Sequence, residues 1–360
     1  MGCGAEPPTV KNKAMTEPLR SSPELETAGG GEVLPRLAFP SVARYRFELE
    51  ALDELRLPAY AGSAWRGALG HGLKRAVCVT RQPRCEGCLL AGTCVYSVIF
   101  ESPAPDEDAR RRFTAVPHPF VLVLDATTPR HCQAGASLSV GLNLLGAANT
   151  AVPYLIHGLN LAGERGVGAG NGRFRVAAVH QELRLGQALW ETVYDADSAS
   201  FRRLPVQPPA VPPLPERVAL DLLTPLRIKR DGRLIGPQEF RIGDLLYHLA
   251  WRLAALEAFY GQGGGKAYDV GRPEPEGPPG LELERDLHWR EWTRYSSRQG
   301  TEMQMGGLVG RLVLDGRVAQ PYWPQLWLGQ WIHVGKATSM GLGRYRLADA
   351  ASLPARHAPA

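Results

Sequence analysis

Two seven-residue stretches of this chain match largely in kind, GNGRFRV over Gly170–Val176 and GLGRYRL over Gly341–Leu347. Each copy lies between a segment of helical period and a last alternating strand. A phrase repeated at one topological place argues for two tandem copies of one folding unit. The length of 360 residues also suits two moderate domains better than one large core.

The patterns around each copy agree. In the first half RYRFELEAL alternates as a strand and GSAWRGALGHGLKRAV has helical spacing. YSVIFES, PFVLVLD and SLSVGLNLLG then read as strands, NTAVPYLIHGLNLAG as a helix, and RFRVAAVHQ as the closing strand. The second half runs from strand RVALDLLTPLRIK through helix RIGDLLYHLAWRLAALEAFYG to strands around WREWTRYSSRQ and MQMGGLVGRLVL. Helix YWPQLWLGQWIHV and strand RYRLA complete it. The order β-α-β-β-α-β in both halves, with an additional strand expected in the first, is an α+β reading: two tandem ferredoxin-like (RRM-like) domains. The domains are expected over residues 39–182 and 217–350, joined by a stiff linker over 183–216 whose prolines exclude helix and sheet. Residues 1–38 lack an apolar period and read as a disordered tail, and 351–360 as a short second tail. The stretch from Gly261 to Gly280 reads as an exposed loop.

No apolar run is long enough for a membrane helix, and no charged-then-apolar leader opens the chain. The initial Met-Gly fails as a myristoylation motif because Glu6 stands where Ser or Thr is required. A cytoplasmic protein without a membrane partner is expected. The net charge of +5 is a mild basic bias, so any surface for a polyanion must be local. Four of the six cysteines, Cys78, Cys85, Cys88 and Cys94, follow the spacing C-x6-C-x2-C-x5-C, which reads as a metal centre inserted in the first domain. Four thiolates suit structural zinc and equally a [4Fe–4S] cluster; zinc is favoured because a closed site would pin an insertion with little core. Cys3 and Cys132 have no partner in sequence.

The glycines of the second copy follow a helix and precede a strand, the reverse of a dinucleotide-binding loop, and no P-loop Lys-Ser/Thr follows them. What remains is a loop of exposed amides flanked by Lys336, Thr338, Ser339, Gly341, Gly343 and Arg344, suited to a nucleic-acid backbone. Arg173 occupies the equivalent place in the first copy. Arg290, Arg294 and Arg298 alternate with Trp289, Trp292 and Tyr295, which reads either as base-stacking aromatics between phosphate-binding arginines or as core aromatics with solvated arginines.

The segments LPAYAGSAWRGALGHGLKR, CVYSVIFE, LTPLRIKRDGRLI, RYSSRQ, GGLVGRL and HVGKATSMGLGRYRL, in this order over roughly residues 41 to 350, resemble the CRISPR-associated endoribonucleases that process precursor crRNA, the Cas six family of the RAMP superfamily. The resemblance implies glycine-rich loops that touch RNA, CRISPR repeat RNA as partner, and contact with other Cas proteins of an effector complex. It also implies metal-independent cleavage, in which a 2′-hydroxyl attacks the adjacent phosphorus and leaves 2′,3′-cyclic phosphate and 5′-hydroxyl ends. By position in the first helix, His71 is the candidate base and Lys74 its neighbour on one face. Tyr60 would orient or protonate, with Ser63 and Arg66 on the phosphate. A surface or satisfied helix histidine is the bland reading of His71. His333 is a rival that also suits a carbonyl cap, His157 shares that structural reading, and His248 reads as packing. Two other functions stay open: a non-catalytic RAMP subunit that holds crRNA, and a metal-assembled nucleic-acid-binding module.

Overall fold

The computed structural model describes residues 40–102, 116–125, 128–261, 276–296 and 301–352, all within one compact unit. The expected tail over 1–38, most of the Gly261–Gly280 loop and residues 353–360 lie outside the described residues.

Strand β1 (Val42–Ala51) buries Tyr45, Phe47 and Leu49 on one face and turns Arg44, Arg46, Glu48 and Glu50 to the other. Helix α1 (Gly62–Val77), β2 (Phe120–Val123), β3 (Ser137–Leu145), helix α2 (Val152–Arg165) and β4 (Phe174–Glu182) follow. The sheet order is β2-β3-β1-β4, antiparallel throughout. Both helices cover the apolar face. On α1 the buried side chains Trp65, Leu69 and Leu73 recur every four residues, and Trp65 meets Phe174 edge-on at 5.2 Å. Burying each such side chain stabilises the fold by roughly 1.5–3 kcal/mol.

The second half repeats the connectivity. Its strand β6 (Arg217–Leu226) leads to helix α3 (Ile242–Tyr260), β7 (Glu282–Arg290), the hairpin Thr293–Ser296 with Thr301–Gln304, then β8 (Gly307–Asp315), helix α4 (Trp323–Ile332) and β9 (Tyr345–Asp349). The sheet order β7-β8-β6-β9 places the strands as in the first half, again antiparallel. Helix α3 is buried along most of its length, and even Arg252 on it is enclosed, giving Nε to the Ile332 carbonyl at 2.9 Å. The halves meet where Asn143 donates to the Trp331 carbonyl at 2.7 Å and Tyr260 to the Pro117 carbonyl at 2.9 Å. No described helix is long and apolar enough to cross a membrane.

Two segments differ from expectation. Trp190–Asp195 (β5), inside the span assigned to the linker, pairs with the free edge of β4, and Ser200–Phe201 pairs beyond it. The β-branched and aromatic residues of WETVYD fit that edge, so irregular chain begins only at Arg202. YSVIFES is helical rather than a strand: Val98 N–H bonds to the Cys94 carbonyl at 2.9 Å and Ser102 N–H to the Ser97 carbonyl at 2.7 Å. Its apolar residues Ile99 and Phe100 pack against the core, and a short apolar run fits either element.

Candidate functional site

The glycine-rich segment of the second half lies against the first turns of α1. Between α4 and β9 it passes through His333, Gly335, Ala337, Gly341 and Gly343, all at positive φ. Its amides are bonded internally: Lys336 N–H to the Arg227 carbonyl at 2.8 Å, Gly341 N–H to the Thr338 carbonyl at 2.8 Å, Gly343 N–H to the Pro225 carbonyl at 3.0 Å and Arg344 N–H to Thr224 Oγ1 at 2.9 Å. Thr338, Ser339 and Leu342 are buried. The expectation of a loop with exposed amides is therefore corrected. The glycines permit close approach instead: Gly341 has φ +92°, and a Cβ there would stand 2.8 Å from the Leu122 carbonyl oxygen.

Helix α1 completes the contact. Gly62 presses its backbone on the Met340 carbonyl, and the Tyr60 phenol donates to the same oxygen while its ring lies 4.5 Å from that of Trp292. Trp292 thus packs between the two halves of the chain. One turn into the helix, Arg66 donates Nε to Ser339 Oγ at 3.2 Å, places Nη2 3.0 Å from His118 Nε2, and lies 5.4 Å over the Phe100 ring. A guanidinium only donates, so His118 Nε2 accepts and its proton sits on Nδ1, 3.4 Å from Ser102 Oγ. Burial, then the Arg66 and Arg252 charges, push His118 down to about 4, so it is neutral at physiological pH. Nothing in the sequence around PHPF marked this histidine.

The seam between the halves is electropositive. Burial lowers Arg252 to about 10. His333 is fully buried with Nδ1 3.2 Å from the Leu342 carbonyl oxygen; burial, then Arg344 and Arg252, hold it well below the usual imidazole range. His333 is thus a buried, neutral strut inside the segment. Arg344 donates to the Leu124 carbonyl at 3.2 Å and to Asp125 Oδ1 at 3.0 Å, and Lys336 is exposed at the margin.

His71 is exposed, about 7.5 Å farther along α1 than Arg66 and about 140° round it. It shares a stripe with Ser63 and Gly67, and open space stands where a Gly67 Cβ would be. Lys74 is drawn elsewhere: its ammonium donates to the Pro83 carbonyl at 2.8 Å and lies 5.4 Å over the Tyr96 ring. Arg173 is held by Asp53 through two bonds of 2.7 and 3.1 Å. Arg298 and the side chain of Arg294 lie outside the described residues. His157 is exposed, and His248 Nε2 lies 2.9 Å from the Lys229 carbonyl oxygen.

Cys78, Cys85, Cys88 and Cys94 line one small pocket. Among the described residues, no three His, Cys, Asp or Glu side chains are gathered closely enough to hold an ion.

Two halves of one connectivity, joined by a cationic seam where the second lays its glycine-rich segment on the first helix of the first, define a protein of mixed α/β structure with antiparallel sheets. Residues 220–345 match the family model of the CRISPR-associated endoribonuclease Cas6. Residues 37–207 match a family model described as an N-terminal domain. An uncharacterized protein of Archaeoglobus fulgidus is 23% identical over 297 residues, which is 82% of this chain and 93% of that protein. Among solved structures, Thermus thermophilus Cas6 is similar with 16% identity and a TM-score of 0.44, covering 86% of this chain and 99% of that one. A RAMP protein binding different RNA substrates is similar with 11% identity and a TM-score of 0.40, covering 85% and 99%.

Proposed function

We propose that this protein is an endoribonuclease that binds CRISPR repeat RNA and cuts precursor crRNA, with two tandem ferredoxin-like domains as its frame. The observation that carries the reading is the seam, in which Arg66 is held between Ser339 and His118 beside the residues that match the Cas6 family model. The reaction needs no metal. The 2′-hydroxyl loses its proton to a base and attacks phosphorus, the bond from phosphorus to the 5′-oxygen breaks, and that oxygen is protonated, leaving 2′,3′-cyclic phosphate and 5′-hydroxyl ends.

On this reading His71 is the base. It is exposed at the end of a stripe on which Gly67 carries no side chain and has open space beside it, so that an RNA strand can come close. Arg66 and Lys336 hold phosphoryl oxygens, and the seam's positive field favours the charge that develops on them. Tyr60 and His118 are positioning residues: one holds the glycine-rich segment on α1, the other aims the Arg66 guanidinium. Lys74 is left to the cysteine segment. The internal use of the Tyr60 phenol favours a second reading, a RAMP subunit that holds crRNA among other Cas proteins without cutting it. His71→Ala separates the two. The processing enzyme loses cutting while repeat affinity stays within about threefold, less than 1 kcal/mol; unchanged cutting in this variant removes His71 as the base. Tight repeat binding with no cut by the wild type establishes the second reading.

A further inference from the structure

Residues 79–93 follow α1 without forming a helix or a strand. Val79 is 77% exposed and Leu89 99% exposed, and along the segment only Cys85, Cys88 and Ala91 turn inward. A segment of this length without an apolar core cannot offset the entropy of ordering by packing. Two of its three inward-turning residues carry thiols, and they line one pocket with Cys78 and Cys94 from the two ends of the segment. The Thr80 hydroxyl oxygen stands 3.8 Å from Cys78 Sγ and 3.7 Å from Cys88 Sγ. Between Cys85 and Cys88 the chain makes a tight turn, with Cys88 N–H 3.1 Å from the Cys85 carbonyl oxygen and Gly87 at φ +74°.

We propose that Cys78, Cys85, Cys88 and Cys94 bind one zinc ion as a tetrathiolate centre that staples the end of α1 to the helical turn carrying Phe100 and Ser102. Zinc takes four thiolates in tetrahedral geometry at about 2.3 Å, so the loop closes on the ion as the thiols release their protons. Four thiolates around Zn²⁺ carry a net charge of about −2, and Lys74, bonded to the Pro83 carbonyl of the same segment, supplies a compensating cation.

The staple holds two elements that reach the seam. Cys78 caps α1, its N–H bonded to the Lys74 carbonyl at 2.9 Å. Cys94 accepts the first bond of the helical turn that places Phe100 beneath Arg66 and Ser102 beside His118. The inference stands apart from the RNA-cutting reading, and its test reads metal, not cleavage.

The test is zinc quantification by mass spectrometry on the purified full chain, beside Cys85→Ser, Cys88→Ser and the control Cys132→Ser, whose thiol is buried elsewhere. Expected are one zinc per chain in the wild type and control and a loss of tenfold or more in the two ligand variants. If the variants fail to fold, mercurial titration of the wild-type thiols keeps the test open: zinc must leave in step with modification of four cysteines. A wild type without zinc whose four thiols react freely in the native state overturns the centre. Iron with acid-labile sulfide in its place overturns zinc.

Discussion

Two glycines on one helix face opposite surroundings, and their replacement by alanine should move stability in opposite directions. At Gly67 nothing stands within 4 Å of the new Cβ, so Gly67→Ala gains helix propensity of roughly 0.5–1 kcal/mol without a clash. At Gly62 the Cβ would fall on the Met340 carbonyl, which is backbone and cannot swing aside. Overpacking of this kind costs roughly 1–3 kcal/mol. The first helical position returns little propensity, so the net effect of Gly62→Ala is a loss of about 1–2 kcal/mol. About 1 kcal/mol moves Tm by roughly 2–4 °C in a domain of 150–250 residues. Thermal melts should therefore show Gly67→Ala a little above the wild type and Gly62→Ala several degrees below it. A Gly62→Ala protein as stable as the wild type would mean that the glycine-rich segment is not seated on α1, and the seam as described would be wrong.

His118 gives a pH prediction. Its folded value of about 4 lies below the usual imidazole value near 6.5, so the unfolded chain takes up this proton first as pH falls. Stability is full above pH 6.5 and declines toward pH 4, by up to about 3 kcal/mol from this group. In melts at pH 7 and pH 5, His118→Gln should lose less stability than the wild type; parallel losses would place the histidine outside the seam. For RNA, Arg66→Ala should reduce the slope of log affinity against log salt by about 0.7, the share of a single neutralised phosphate. Arg173→Ala should leave affinity within about twofold, less than 1 kcal/mol, because Asp53 already holds that guanidinium. Filter binding of repeat RNA at several salt concentrations checks both, and equal effects would contradict the assignment.

What the sequence carried was local. GSAWRGALGHGLKRAV coincides with Gly62–Val77 because the fourfold spacing of Trp65, Leu69 and Leu73 is a property of the segment alone. The repeated GxGR phrase marked the same junction in both halves, since a chain turning from helix into an adjacent strand needs the same backbone freedom twice. What the phrase approaches was not legible. Gly341 meets Leu122 and Met340 meets Gly62, neighbours far apart in the chain that no local pattern reveals. His118 was invisible for the same reason: its partners Arg66 and Ser102 come from two other elements. The strand at Trp190–Asp195 was hidden by the prolines that follow it, because proline density excludes sheet only where the prolines stand.

The central claim is that this chain cuts repeat RNA with its own side chains. The most direct measurement is incubation of the purified protein with end-labelled repeat RNA in excess EDTA, beside the same RNA carrying a single 2′-deoxy sugar at the cut site, followed by end-group analysis. The account predicts one cut that survives chelation, vanishes with the 2′-deoxy substitution, and leaves a cyclic phosphate and a 5′-hydroxyl. Cutting that EDTA abolishes, or that proceeds at the deoxy position, would contradict it.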